Sequence, residues 1–239
     1  MHIIQSYEEI PFANPSLLYE IVRKEEGSGD RATYLLESRE GSEKLARYSF
    51  IGFDPAFKFS VKNGVLKTKS YDESVAKKMK EAARREKKSL KKNPLRMIKA
   101  FLDDLKIAGE TIGERFIDGF VGYLSYDYIR YFVDLGEGEG AAADTLKQPD
   151  CEFVLAKRNI VVDHKAKKAF LLCSEFCDDD LEVEVEKPAQ KFVWKRKAGV
   201  GQKDRRPNAL SSDFTSNLEQ AEYERGVRAA KEYIRAGDI

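Results

Sequence analysis

Phe57-Lys-Phe-Ser-Val-Lys-Asn-Gly-Val-Leu-Lys-Thr-Lys69 is the stretch that decides the fold class. Phe57, Phe59 and Val61 alternate with Lys58, Ser60 and Lys62, the period of a strand with one buried face. Asn63-Gly64 supplies the two positive-φ positions of a tight turn, and Val65 begins the return strand. Strands joined by two residues must run antiparallel. The core of the chain is therefore expected to contain antiparallel sheet.

Working outward, residues 33–38 and 47–53 read as two further strands, the second closed by Asp54-Pro55. Asn14-Pro15 opens a helix, with Asn as N-cap and Pro at the first helical position. Its apolar face is Leu17, Leu18, Ile21 and Val22, and Gly27-Ser28-Gly29-Asp30 ends it. Downstream, residues 76–92 form a charged helical stretch, and Asn93-Pro94 opens another helix that runs to Gly109. Gly119 and Gly122 inside an apolar run point to a bulge or a close backbone approach. Residues 153–156 and 159–162 read as one or two strands, Asp163-His164-Lys165 as a turn, and residues 169–173 as the strand that pairs back. This order is not strict βαβ alternation. It predicts an α+β fold, with antiparallel or mixed sheets, β-sandwich-like, and helices packed on them.

The last helix has its own punctuation. Ser216-Asn-Leu-Glu219 reads as a capping box, Leu218, Ala221, Val227, Ala230 and Ile234 form one stripe, and Gly237 fits a left-handed C-cap. Such a stripe needs a partner, which is the first hint that the chain is one part of something larger. Between residues 178 and 215 the sequence is polar, with Pro188 and Pro207, and reads as a linker. The division predicted is a domain over 1–177, a linker over 178–215 and the first helix of a second domain over 216–239.

Composition narrows the function classes. Of 239 residues, 42% are hydrophobic and 35% charged, and the balance is only +1, so no global field draws the chain to nucleic acid or membrane. Nine Lys/Arg against two Glu in residues 77–92 form the one basic run. It lacks the interleaved aromatics of a single-strand binder and reads as a solvated face. No segment approaches a membrane span and no signal peptide opens the chain. Cys151, Cys173 and Cys177 are unevenly placed, with no second Cys/His pair near Cys173-Ser-Glu-Phe-Cys177, so the pattern argues against a four-ligand zinc site, and they read as reduced thiols of a cytoplasmic protein. Nucleophile-elbow, zincin, P-loop, kinase and dinucleotide signatures are all missing. His164, in a turn beside Asp163, reads as a solvated polar residue rather than a general base.

The most pointed constellation lies on the early strands. Leu35-Leu36-Glu37-Ser38 brings a carboxylate and a hydroxyl to a strand end, and Arg47-Tyr48-Ser49 brings a cation, a phenol and a second hydroxyl. If the two strands pair, one region holds partners for an ammonium, a carboxylate and an aromatic ring, as a free aromatic amino acid requires. A strand end with ordinary solvated polar residues satisfies the same pattern. Neighbours on a strand face opposite sides, so Glu37 and Ser38 can serve one ligand only if there is a bulge, a strand end or a backbone contribution. Arg47 and Ser49 are expected to share a face, with Leu36 as an apolar wall on the side of Ser38.

With Arg47-Tyr-Ser-Phe-Ile-Gly-Phe-Asp-Pro55, Gly119-Phe-Val-Gly-Tyr-Leu-Ser-Tyr-Asp127, Gln148-Pro-Asp-Cys-Glu-Phe153 and Ala230-Lys-Glu-Tyr-Ile-Arg-Ala-Gly-Asp-Ile239, these segments resemble the amino-terminal half of anthranilate synthase component I. The resemblance implies conversion of chorismate to anthranilate in tryptophan synthesis, with Mg2+ as cofactor and a glutamine amidotransferase subunit as partner. It implies feedback inhibition by tryptophan at Glu37, Ser38, Arg47, Tyr48 and Ser49, matched by position. It also implies that the chorismate-binding residues, the general base and the Mg2+ carboxylates would follow residue 239, leaving this chain inactive by itself. Aminodeoxychorismate synthase component I, a stand-alone amino-acid sensor and, last, an RNA binder using residues 77–92 are the alternatives.

Overall fold

The structure is a computed structural model. It describes residues 1–26, 31–38, 47–88, 93–109, 119–133, 144–177 and 216–238. The expected linker over 178–215, the loop at 27–30 and residues 89–92 of the basic run lie outside them. The chain divides into two units, Met1–Lys191 and Phe192–Ile239.

In the first unit the order is β1 (His2–Ile10), α1 (Pro15–Glu26), β2 (Tyr34–Leu36), β3 (Tyr48–Lys62), β4 (Val65–Ser70), α2 (Glu73–Arg85), α3 (Arg96–Leu102), β5 (Lys106–Gly109), β6 (Phe120–Leu124), a 3-10 helix (Tyr126–Tyr131), β7 (Cys151–Asp163) and β8 (Lys168–Cys177). The strands join in one mixed sheet in the order β2-β3-β7-β8-β1-β5, with β4 also on β3 and β6 also on β7. Only β1 with β5 is parallel among these pairs. The class is α+β, as the sequence pattern predicts.

The hairpin that opened the reading is β3–β4, with Lys62 facing Val65 across Asn63-Gly64 and both turn residues at positive φ. Asp54-Pro55 behaves differently from expectation. It does not end a strand; β3 runs straight through it, and the register against β7 slips between Pro55 and Phe57. A proline amide cannot join the ladder, and a bulge is where a strand tolerates that loss.

The bulge organises the core. Before it, Ile51 and Phe53 oppose Ile160 and Arg158; after it, Phe57, Phe59 and Val61 oppose Leu155, Phe153 and Cys151. On β7 these two sets differ by an odd number of residues, so they lie on opposite faces. One extra residue therefore lets a single strand feed two apolar layers. Phe57, Phe59 and Val61 form one cluster with Val75 and Met79 of α2 and Met97 and Phe101 of α3. Ile51 and Phe53 are buried outside it, in the region where α1 packs against β3 and β2 and buries Leu18 and Val22.

Helix starts follow the local chemistry. Asn14 Oδ1 accepts from the Ser16 amide and Asn93 Oδ1 from the Leu95 amide, the two Asn-Pro starts. Asp72 caps α2 through Val75 N–H. Four of the basic-run residues and their neighbours are paired: Arg85 with Asp104 and Arg96 with Glu86 tie α2 to the α3 region, and Lys78 reaches Glu81. In the second unit, α4 (Gln220–Ala236) begins after Glu219, and Ser216 instead bonds the Leu218 amide. The expected capping box is thus replaced by a local Ser turn. Gly237 does take the left-handed cap, with Gly237 N–H on Ile234 O and Asp238 N–H on Tyr233 O.

Two motif glycines have steric reasons. A Cβ on Gly52 would lie 2.1 Å from the Tyr34 ring, because that ring crosses β3 to place its hydroxyl 2.5 Å from Asn159 Oδ1 on β7. A Cβ on Gly122 would lie 1.9 Å from the Glu152 carbonyl oxygen. The close approach expected at this glycine is of strand β6 on β7.

Candidate functional site

The β2–β3 pairing puts the sequence-predicted residues at one end of the sheet. Leu35 opposes Ile51 and Leu36 opposes Phe50, and β2 ends there. Of the three escapes from the neighbour problem, the structure shows one: the strand has ended before Glu37, and the Ser38 backbone turns inward to the protein. Its amide donates to Ser49 Oγ over 3.2 Å. Ser49 is fully buried and opposes Val162. Glu37, on the α1 side, accepts a long bond of 3.4 Å from the Ser16 hydroxyl.

Arg47 and Ser49 do not share a face. Arg47 lies just before β3, where alternation does not yet bind it. Its guanidinium makes three contacts with the Asp163 carboxylate, at 2.6, 3.0 and 3.2 Å, and sits 4.8 Å over the Tyr48 ring. Asp163 opposes Tyr48 in the register, one position off the Ser49–Val162 pair. Leu36, 47% exposed, belongs with Phe50 rather than with Ser49. The six residues thus gather in two sets. Glu37, Ser49 and the Ser38 amide form one; Leu36, Arg47 and Tyr48 form the other.

Two residues that the sequence reading set aside bind these sets together. His164 is half-buried, not solvated: its Nε2 is 2.8 Å from Ser49 Oγ, and its amide donates to Arg47 O over 2.9 Å. Asp163 also accepts from the amides of Lys165 and Ala166, closing the β7–β8 turn. Burial pushes the Asp163 carboxyl up, yet Arg47 and the two turn amides outweigh it and hold the group below the usual range. The signal available in sequence was the Asp163-His164 pair at a strand end, but its register against Arg47 depends on the bulge at Pro55.

A concavity of about 820 Å³ lies elsewhere, at the far end of the hairpin, lined by Lys62, Asn63, Tyr131, Asp144 and Asp150 among others. Its polar groups serve each other. Asp150 accepts from Asn63 N–H at 2.7 Å and Tyr131 O–H at 2.9 Å, and Tyr131 in turn accepts from Gly64 N–H at 2.7 Å. Asp150 of the Gln148-Pro-Asp motif thereby holds the Asn63-Gly64 turn. Cys151 and Cys173 are free and buried, each thiol pushed up to about 11 by burial. Among the described residues no group of three or more His, Cys, Asp or Glu is placed to hold a metal ion. Among them, too, no helix is long and apolar enough to cross a membrane.

The α+β sheet thus carries at its β2–β3 end a carboxylate, a guanidinium, a phenol and a buried hydroxyl. The profile of the chorismate binding enzymes matches residues 31–239, and the chain belongs to that family. It is similar to anthranilate synthase component 1 of Acetivibrio thermocellus, 31% identical over 86% of this chain and 40% of that protein. It is also similar to aminodeoxychorismate synthase component 1 of Bacillus subtilis, 25% identical over 97% of this chain and 45% of that protein. The crystal structure of anthranilate synthase component I from Streptococcus pneumoniae covers 97% of the chain and 46% of its own length, at 20% identity and a TM-score of 0.43. The chain thus spans less than half the length of these relatives.

Proposed function

We propose that the chain is the amino-terminal, regulatory part of an anthranilate synthase component I, and that its site takes tryptophan as feedback inhibitor. In this reading the regulatory domain is residues 1–177, joined through 178–215 to the first helix of a catalytic domain. The observation that supports it most is that the six candidate residues, in their two sets, all lie at the β2–β3 end of the sheet, where the Ser38 amide is bonded to Ser49 Oγ. Leu36 and Tyr48 would meet the indole, and Glu37, which lies past the end of β2, the ammonium. Arg47 is already engaged by Asp163, so the carboxylate falls to hydroxyl and amide donors or shares the guanidinium. The whole enzyme would act on chorismate with ammonia from a glutamine amidotransferase subunit. In the whole enzyme Mg2+ would assist departure of the chorismate hydroxyl.

Titration calorimetry with L-tryptophan tests the site. Ser49→Ala removes the acceptor of the Ser38 amide and the partner of His164. It is expected to weaken binding about tenfold, the effect of one or two lost hydrogen bonds. Unchanged affinity would take Ser49 out of the site. The purified chain alone, given chorismate, ammonia and Mg2+, is expected to form no anthranilate by fluorescence; turnover would show that it is catalytically sufficient. The relative from Bacillus subtilis favours a second reading, aminodeoxychorismate synthase component I, since it aligns with nearly the whole chain. The same calorimetry on the longer protein, with 4-aminobenzoate-pathway assays beside it, separates the two.

A further inference from the structure

Tyr34, Gly52 and Asn159 form one cross-strand row: Tyr34 opposes Gly52 on β3, and Gly52 opposes Asn159 on β7. Residues directly opposite one another point to the same face of a sheet. The Tyr34 ring lies across the glycine, and its hydroxyl reaches the Asn159 side-chain oxygen at 2.5 Å. Asn159 is fully buried, and this bond is the only one its side chain makes among the described residues. Strand β2 is weak by itself. It is three residues long, stands at the edge of the sheet and joins the ladder through β3 alone. Such a strand has little to fix its register, and a slip of one residue turns every side chain to the other face.

We infer that the Tyr34–Gly52–Asn159 row is the register pin of β2, and that Tyr34 is thereby a positioning residue of the amino-acid site. The row is selective because it is steric. The three atoms nearest to a Cβ built on Gly52 are Cε1, Cζ and the hydroxyl oxygen of Tyr34, at 2.1, 2.2 and 2.6 Å. In the neighbouring registers the ring would meet Phe50, Ile51, Phe53 or Asp54, each of which carries a side chain. Two other bonds flank β2, between the Tyr19 and Thr33 hydroxyls before it and from the Ser38 amide to Ser49 Oγ after it. They join small polar groups and exclude no register by bulk. Leu36 is two residues from Tyr34, so it shares its face, opposite Phe50. Pinning Tyr34 therefore sets which face Leu36 presents and where Glu37 and Ser38 leave the strand. The inference rests on the tryptophan reading for the identity of the ligand, but not for the pin.

The test is a double-mutant cycle in the 239-residue chain. Deuterium exchange by NMR is followed at the Ser38 amide and, as an internal reference, at the Asn63 amide, which bonds Asp150 at the far end of the β3–β4 hairpin. Tryptophan affinity is measured beside it by calorimetry. Gly52→Ala drives a methyl into the ring, and Tyr34→Ala removes the ring. Each is expected to speed Ser38 exchange about tenfold relative to Asn63 and to weaken tryptophan about tenfold. The double variant has lost the clash along with the ring, so it is expected to be no worse than Tyr34→Ala alone. Additive effects in the double variant would overturn the inference, because the methyl would then harm something other than the pin. Equal acceleration at Ser38 and Asn63 would overturn it too, since a merely structural tyrosine does that. Unchanged tryptophan affinity with faster Ser38 exchange would remove Tyr34 from the positioning role. If the unaltered chain binds no tryptophan, the ligand reading falls, and the ratio of the two exchange rates then decides the pin by itself.

Discussion

Replacing Gly122 by valine is expected to lower the melting midpoint of the sheet-bearing unit by roughly 6–12 °C, the equivalent of about 3 kcal/mol in a chain of this size. The clash is with backbone. A Cβ at this position would sit 1.9 Å from the Glu152 carbonyl oxygen and 2.7 Å from Phe153 Cα, and no rotamer change can relieve it. Strand β6 would have to move off β7. With it would go Phe120, whose ring meets Phe59 and Phe101 edge-on at 6.3 and 5.8 Å, in the centre of the larger apolar cluster. Calorimetric melting of the variant, beside Gly122→Ala, measures this. A midpoint within a degree or two of the original would mean that β6 does not seat against Glu152.

The same glycine shows what the sequence could and could not convey. Its presence in an apolar run signalled a close approach, because only a missing side chain explains a glycine there. The partner was not legible, since Glu152 lies thirty positions away and the pairing is set by register. Alternation in residues 57–62 and the Asn63-Gly64 turn were legible because they are local. So were the Asn-Pro helix starts and the left-handed Gly237. Strand β1 was not read at all. Gln5 is buried at the middle of its inward face, bonding Ser174, and that polar residue hides the alternation of Met1, Ile3 and their neighbours. The candidate site was legible as a set of residue types, and its two-faced division was not. That division follows from Arg47 standing outside the strand and from Asp163 being delivered by a bulged register, both long-range facts.

Asp163 is where fold and site depend on one side chain, and Asp163→Ala is expected to cost about 3 kcal/mol, roughly 6–12 °C. Its carboxylate is 8% exposed and carries the Arg47 guanidinium and two turn amides together. The Arg47 partner is 39% exposed, so part of that pair is screened, and the figure is set below that for a fully buried bridge. Asp163→Asn keeps an acceptor for the turn amides and removes only the charge, so it is expected to lose about half as much. The pH dependence separates the two contributions. The folded carboxyl is held below its unfolded value, so its contribution is complete above the unfolded value of about 3.9 and is lost as pH falls through the lower folded one. The stability gap between the original chain and Asp163→Asn should therefore be constant from about pH 5 to 7 and close in acid. A gap that persists undiminished at about pH 2 would show that the carboxylate's charge is not what Arg47 needs. Tryptophan binding should fall in the same variants, because Arg47 and His164 are both placed by the turn that Asp163 closes.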